Sequence, residues 1–251
     1  MCLLAMAYCV HSNYPLIVAA NRDEFFQRPS AAADFWSDHS DVLAGRDLQQ
    51  GGTWMGVTRT GRFAALTNVR DPRAMRPTAR SRGLIVAQFL LGNDAANRYL
   101  EELRPHADDY NGFNLLAGDA DSLYFFNSRA ERAEPLRPGI YGLSNHTLDT
   151  PWPKVTRAKA SLEKALNHDE QELEAALFEL LADRAHPDDD ALPDTGVGLE
   201  KERWLSPVFI AAENYGTRCS TVLLAGSSAT IFVERSFDNL GEVTQTRRFV
   251  L

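Results

Sequence analysis

Cys2 stands directly after Met1, and a charged tetrad, Asn21-Arg22-Asp23-Glu24, follows the second apolar run of the chain. Removal of Met1, common in cells when the next residue is as small as Cys, would leave Cys2 with a thiol and a free α-amine on one residue. An α-amine titrates near ~8 and a thiol near ~8.5, so the amine can take the thiol's proton at neutral pH without a histidine. That pair is sufficient to begin acyl chemistry, as in other N-terminal nucleophiles. A cysteine early in an apolar strand also serves simply as a small buried hydrophobe. The tetrad argues for chemistry, because Arg and Asp are costly to bury unless paired or used. Arg22 beside the sulfur would lower its pKa, and Asp23 could hold the α-ammonium.

Asn68 and Asn145 each end a short apolar run. Both are ordinary turn residues, but two such amides could form an oxyanion hole, where losing one donor costs on the order of 10²-fold in rate. Arg22, Arg46, Arg70 and Arg218 could converge on one cleft and select an anionic ligand by bidentate pairing. Carboxylates, phosphates, coenzyme A groups and haem propionates all qualify. Metal catalysis has little support, since the sequence holds no Cys-x-x-Cys and no His-Glu-x-x-His, and its six histidines are scattered. Gly196-Val197-Gly198 lacks both the preceding strand and the third Gly of a dinucleotide fingerprint. Cys9 and Cys219 each fall inside an expected strand and read as packed core residues. Along Thr217 to Ala225, alternation puts Arg218 and Cys219 on opposite faces, so Cys219 faces away from Cys2 if Arg218 faces it.

Met1-Cys2 followed by Asn21-Arg22-Asp23-Glu24 resembles the signature of the NRDE family, also called transport and Golgi organisation 2. Gly51-Gly52-Thr53-Trp54-Met55-Gly56, Leu66-Thr67-Asn68-Val69-Arg70, Tyr141-Gly142-Leu143-Ser144-Asn145, Pro151-Trp152-Pro153-Lys154 and Tyr215-Gly216-Thr217-Arg218 follow in that family's order, across nearly the whole chain. More remotely, the chain is similar to N-terminal-nucleophile hydrolases of the bile-salt hydrolase and penicillin acylase type. That resemblance implies catalytic roles for Cys2, Arg22, Asp23, Asn68, Asn145 and Arg218, acting on a linear amide or related acyl bond, and the arginines make a small anionic molecule the expected substrate. Arg22 directly precedes Asp23 here, whereas those hydrolases separate the two. Asn21, Arg46, Trp54 and Arg70 are expected to contact the substrate. No cofactor is implied for catalysis. The NRDE family is also linked to haem trafficking and to lipid or acyl-CoA homeostasis. This implies the alternative of a non-catalytic carrier, with Cys2 or His146 on a haem iron and arginines on propionates or phosphates.

The 251 residues, 44% apolar, can bury a substantial core and are expected to form a single domain. A formal charge of -8 argues against nucleic acid and against anionic lipid as partners, which both need a basic face. Three cysteines without a close pair fit a reducing compartment, and the chain is read as cytoplasmic. The N-terminal apolar run has no basic flank and only about ten residues, so it is read as a strand rather than a signal peptide or membrane span.

The elements that must position these residues follow from periodicity. Leu3 to Val10 and Leu16 to Asn21 predict a hairpin that returns the tetrad to Cys2. Phe25 to Asp47 reads as a loop over the site, with Phe35 and Trp36 on its wall. Strands are expected over Thr53 to Thr58, Arg62 to Asn68, Phe113 to Ala117, Leu123 to Phe126 and Ile140 to Ser144, the third and fourth joined by Gly118-Asp119-Ala120-Asp121. Three more are expected over Thr217 to Ala225, Ala229 to Ser236 and Glu242 to Val250. Helices are expected over Ser81 to Leu91 and Asp94 to Leu103, then one capped by Thr150 and one capped by Asp169 with Glu172. His186 to Gly198 reads as a surface loop. The predicted fold is α+β, a four-layer αββα sandwich of two mainly antiparallel sheets between helical layers, as the resemblance also implies.

Overall fold

A computed structural model describes residues 2–119, 122–130 and 132–251. Met1 and the Ala120-Asp121 part of one predicted turn lie outside the described residues. The strands are β1 (Cys2–Tyr8), β2 (Leu16–Phe25), β3 (Ser30–Trp36), β4 (His39–Asp47), β5 (Met55–Thr58), β6 (Phe63–Asn68), β7 (Phe113–Gly118), β8 (Leu123–Asn127), β9 (Arg132–Pro135), β10 (Gly139–Leu143), β11 (Tyr215–Ala225), β12 (Thr230–Phe237) and β13 (Val243–Val250). The helices are α1 (Gly83–Leu91), α2 (Ala96–Leu103), α3 (Pro153–Ala165), α4 (Glu170–Leu181) and α5 (Leu199–Trp204). They form two compact units, one of Met1–Gln27 with Arg137–Leu251 and one of Arg28–Leu136.

The first unit is built on an antiparallel sheet of order β10-β1-β2-β11-β12-β13. Its central strands are apolar on both faces, as a sheet covered on both sides requires. On one face Leu3, Ala5, Ile17, Ala19 and Val222 pack against Val155 and Leu162 of α3 and Leu173 and Leu177 of α4. Each large aliphatic side chain so buried contributes about 1.5–3 kcal/mol. The other face carries Leu4, Met6, Val18, Ala20, Leu223 and Phe232, all buried. Asp169 caps α4 by accepting from the Gln171 and Glu172 amides, both at 3.0 Å. Glu172 does not close the expected capping box; its Oε2 lies 3.0 Å from His168 Nδ1. Trp152, not Thr150, is the N-cap of α3, and Pro153 begins the helix with φ already set.

The second unit is an antiparallel sheet with its seven strands in sequence order, β3 to β9. Helices α1 and α2 cover one face through Ile85, Phe89 and Leu100, against Phe113, Leu115 and Phe126. Gly52 permits the approach of α1: a Cβ there would stand 2.4 Å from the Gly83 carbonyl carbon.

The α+β class with two antiparallel sheets agrees with the sequence pattern, and several elements do not. Phe25 to Asp47 holds the β3–β4 hairpin instead of a loop, with Ala33 and Trp36 buried. Its register shifts twice, which erases the strict alternation that reveals a strand. Strand β2 runs four residues past Asn21 because β11 pairs with it as far as Phe25. Cys9 is not in a strand core; it is exposed, in the turn after β1, with φ 52°. The short β9 and α5 lack the length over which a period becomes visible.

Candidate active site

Cys2 opens β1 and pairs with Arg22 of β2; Arg22 pairs on its other side with Cys219 of β11. Directly opposed residues share a face, so the two cysteines flank one guanidinium-bearing residue on the face opposite the helices. Cys219 therefore does not face away from Cys2. A β-bulge between Thr217 and Cys219 breaks the alternation on which that expectation rested. Arg218 is the extra residue. Its Nη1 donates to the carbonyls of Phe25 at 3.0 Å and Phe26 at 3.2 Å, and its guanidinium lies 5.5 Å from the Phe26 ring centre. Burial, then the neighbouring Arg22 charge, lowers its pKa.

The Cys2 side chain is 7% exposed. Burial is the main cause of a thiol pushed up to about 11, a net value in which the N-terminal charge and Arg22 lower it and Asp23 and Glu24 raise it. Burial and Glu234, to which Cys219 is hydrogen-bonded, push the Cys219 thiol well above its ordinary value. Arg22 Nη2 lies 3.9 Å from Glu24 Oε2, two residues on along the same face.

Asn21 and Asp23 point to the helix-side face. Asn21 Nδ2 donates to the carbonyls of Leu181 and Val208, both at 2.9 Å, and its Oδ1 accepts from Ser220 Oγ at 2.6 Å. Both amide hydrogens and the carbonyl are thus engaged, which makes Asn21 a tie between β2, α4 and the strap before β11. Asp23 is 1% exposed. Its Oδ1 accepts from Thr217 Oγ1 at 2.8 Å, and its backbone carbonyl accepts from the Tyr215 hydroxyl at 3.2 Å.

Asn145 is fully buried just beyond β10. Ser144 Oγ reaches the Cys2 carbonyl at 3.1 Å and Asn145 Oδ1 at 3.3 Å. The β1/β10 register pairs Leu4 with Leu143, and continuing it by two places sets Asn145 level with Cys2. The first unit therefore brings Cys2, Arg22, Asp23, Asn145 and Arg218 to one end of its sheet. Thr217, Ser144, Glu24 and Cys219 join them without having been singled out for the site by sequence. Nothing in residue type announces the bulge that recruits Thr217.

The remaining candidates belong to the second unit. Asn68 ends β6, half-buried and paired with Phe113. Trp54 and Arg70 are half-buried, just before β5 and just after β6. Arg46 binds Asp38 through both carboxylate oxygens, at 2.7 and 2.8 Å, and lies 4.3 Å over the Trp36 ring. It holds the Asp38 carboxyl down at about 2.

Among the described residues no cluster of three or more His, Cys, Asp or Glu could hold a metal ion. His146 is exposed, its Nδ1 2.9 Å from Thr150 Oγ1. No helix among the described residues is long and apolar enough to cross a membrane, which says nothing of strands.

This arrangement, two antiparallel sheets with a cysteine opening a central strand, has the fold of the N-terminal-nucleophile hydrolases. A solved cysteine-to-alanine mutant of conjugated bile acid hydrolase from Clostridium perfringens matches with a TM-score of 0.51 at 9% identity, covering 98% of this chain and 92% of that one, a likeness of fold alone. The chain belongs to the Transport and Golgi organisation 2 family, whose pattern matches residues 1–239. It is 39% identical to the Transport and Golgi organization protein 2 homolog of Bos taurus, over 89% of this chain and 87% of that protein. Against Transport and Golgi organization protein 2 of Drosophila melanogaster the identity is 30%, over 96% and 93%.

Proposed function

We propose that the chain, once Met1 is removed, is an N-terminal cysteine hydrolase acting on a linear amide or related acyl bond of a small anionic molecule. The observation that carries this reading is the pairing of Cys2 with Arg22 at the first position of β1. A cation on the same face as the sulfur stabilises a thiolate, and strand register sends the Cys2 nitrogen past Arg22 toward Asp23.

In this reading the thiol proton passes to the Cys2 amine as sulfur attacks the acyl carbon. Asn145 donates to the oxyanion. The ammonium then returns the proton to the leaving nitrogen as the C–N bond breaks, leaving a thioester and a free amine. Water, deprotonated by the Cys2 amine, attacks the thioester; the acid leaves and the thiol is restored. Arg22 and Arg218 are the guanidinium groups nearest this end of the sheet, and either could pair with an anionic substrate group.

Intact mass of protein from its native host comes first: a mass one methionine short is expected. A panel of N-acyl amino acids and acyl-CoA thioesters then tests turnover. Cys2→Ala is expected to lose activity by at least about 10³-fold. Undiminished turnover by Cys2→Ala would sink the assignment, and ligand binding without any turnover would point to a carrier instead.

A further inference from the structure

Asp23 points away from the face that carries the Cys2 thiol, yet it follows Arg22, the strand partner of Cys2. It therefore stands at the place toward which the Cys2 amine projects. What faces Asp23 across the sheet is decided by the bulge. With Arg22 paired to Cys219, regular pairing would set Arg218 opposite Asp23; the extra residue sets Thr217 there instead. A long cation, which would engage the carboxylate itself, is replaced by a short hydroxyl, and Arg218 goes to the Phe25 and Phe26 carbonyls.

The hydroxyl is itself held. Thr217 Oγ1 accepts from the Ile210 amide at 3.0 Å, and the Thr217 amide donates to the Ile210 carbonyl at 2.8 Å. An ionised carboxylate can only accept, so the hydroxyl hydrogen goes to Asp23 Oδ1 at 2.8 Å while the Ile210 amide fills one lone pair of the hydroxyl oxygen. The same strap binds Asn21 directly through the Val208 carbonyl and reaches Asp23 through Thr217. All members of this chain are buried.

We infer that Thr217 is a positioning residue for the N-terminal amine: the Ile210–Thr217–Asp23 chain fixes one orientation of an ionised carboxylate, which stabilises the ammonium formed when the Cys2 amine takes the thiol's proton and so favours the ammonium–thiolate pair. This rests on the reading of Cys2 as N-terminal nucleophile. An ammonium held on its own residue keeps the thiol pKa down. Releasing Asp23 lets the amine lose its proton at lower pH and deprives the thiolate of that charge.

The test is alkylation of Cys2 by iodoacetamide from pH 5 to 10, followed by intact mass, in a chain that begins at Cys2 and carries Cys9→Ser. Cys2 and Cys219 are both buried, so peptide mapping assigns each adduct, and circular dichroism of every variant reports folding. Thr217→Val is expected to slow Cys2 alkylation at pH 7 about tenfold, one unit of thiol pKa, and to move the profile to higher pH. Thr217→Ser should stay within about twofold of the parent. A merely structural loss would expose both thiols and shift the profile the other way. If Thr217→Val opens the fold, Thr217→Ala against Thr217→Ser isolates the hydroxyl with the methyl absent from both. Equal rates for hydroxyl-bearing and hydroxyl-lacking variants, in a parent that reacts faster than the same chain retaining Met1, overturn this inference alone. A parent no faster than the Met1-bearing chain overturns the nucleophile reading as well.

Discussion

Cys2 and Cys219 lie on one sheet face as the two flanking partners of Arg22, separated by the full width of β2. Two strand spacings put their backbones roughly 9–10 Å apart, beyond the ~7 Å limit for a disulfide without backbone movement. Treatment with diamide is therefore expected to leave no Cys2–Cys219 bridge in the peptide map. The exposed Cys9 is the thiol that reacts first with a bulky aromatic disulfide reagent, and Cys9→Ser removes that fast phase. A fast phase that survives the substitution would contradict the burial of the other two.

The high thiol pKa of Cys2 has a consequence for stability with Met1 in place. The folded pKa, about 11, lies above the ordinary 9.0, so the fold favours the protonated thiol. Its contribution is complete below pH 9 and is lost as pH rises from 9 through 11, at up to about 3 kcal/mol. Chemical denaturation at pH 7.5 and 10.5 should show a smaller alkaline loss in Cys2→Ser than in the parent. Equal losses would mean that the sulfur is more hydrated than its burial implies.

Asn21 is expected to matter for folding before it matters for chemistry. Asn21→Ala leaves the Leu181 and Val208 carbonyls and the Ser220 hydroxyl without their partner. The expected destabilisation is about 3 kcal/mol, read from the urea midpoint. A midpoint unchanged from the parent would deny the tie its structural role.

Gly52→Ala should destabilise by about 2 kcal/mol, because the added carbon meets backbone atoms of Gly83 and Leu84 that cannot rotate away. Gly51→Ala next to it meets no atom within 4 Å, so its cost comes from its positive φ of 76° instead. Comparing the two by thermal unfolding separates crowding from backbone strain.

Much of this protein is legible in the order of its residues. Alternating and continuous apolar runs mark most strands, Asp169 marks the start of α4, and the opening cysteine with the Asn21–Glu24 tetrad marks where chemistry is expected. Those features are local: a strand's period, a cap and a nucleophile's type are properties of a few adjacent residues. Tertiary pairing decided the rest. Strand β2 extends through the tetrad only because β11 lies beside it, and this alternation sends Arg22 to the sulfur's face and Asn21 and Asp23 to the other. One extra residue in β11 exchanges Arg218 for Thr217 opposite Asp23 and brings Cys219 alongside Arg22. Register between strands nearly two hundred residues apart is set by the packing of both faces at once, so no window of the sequence contains it.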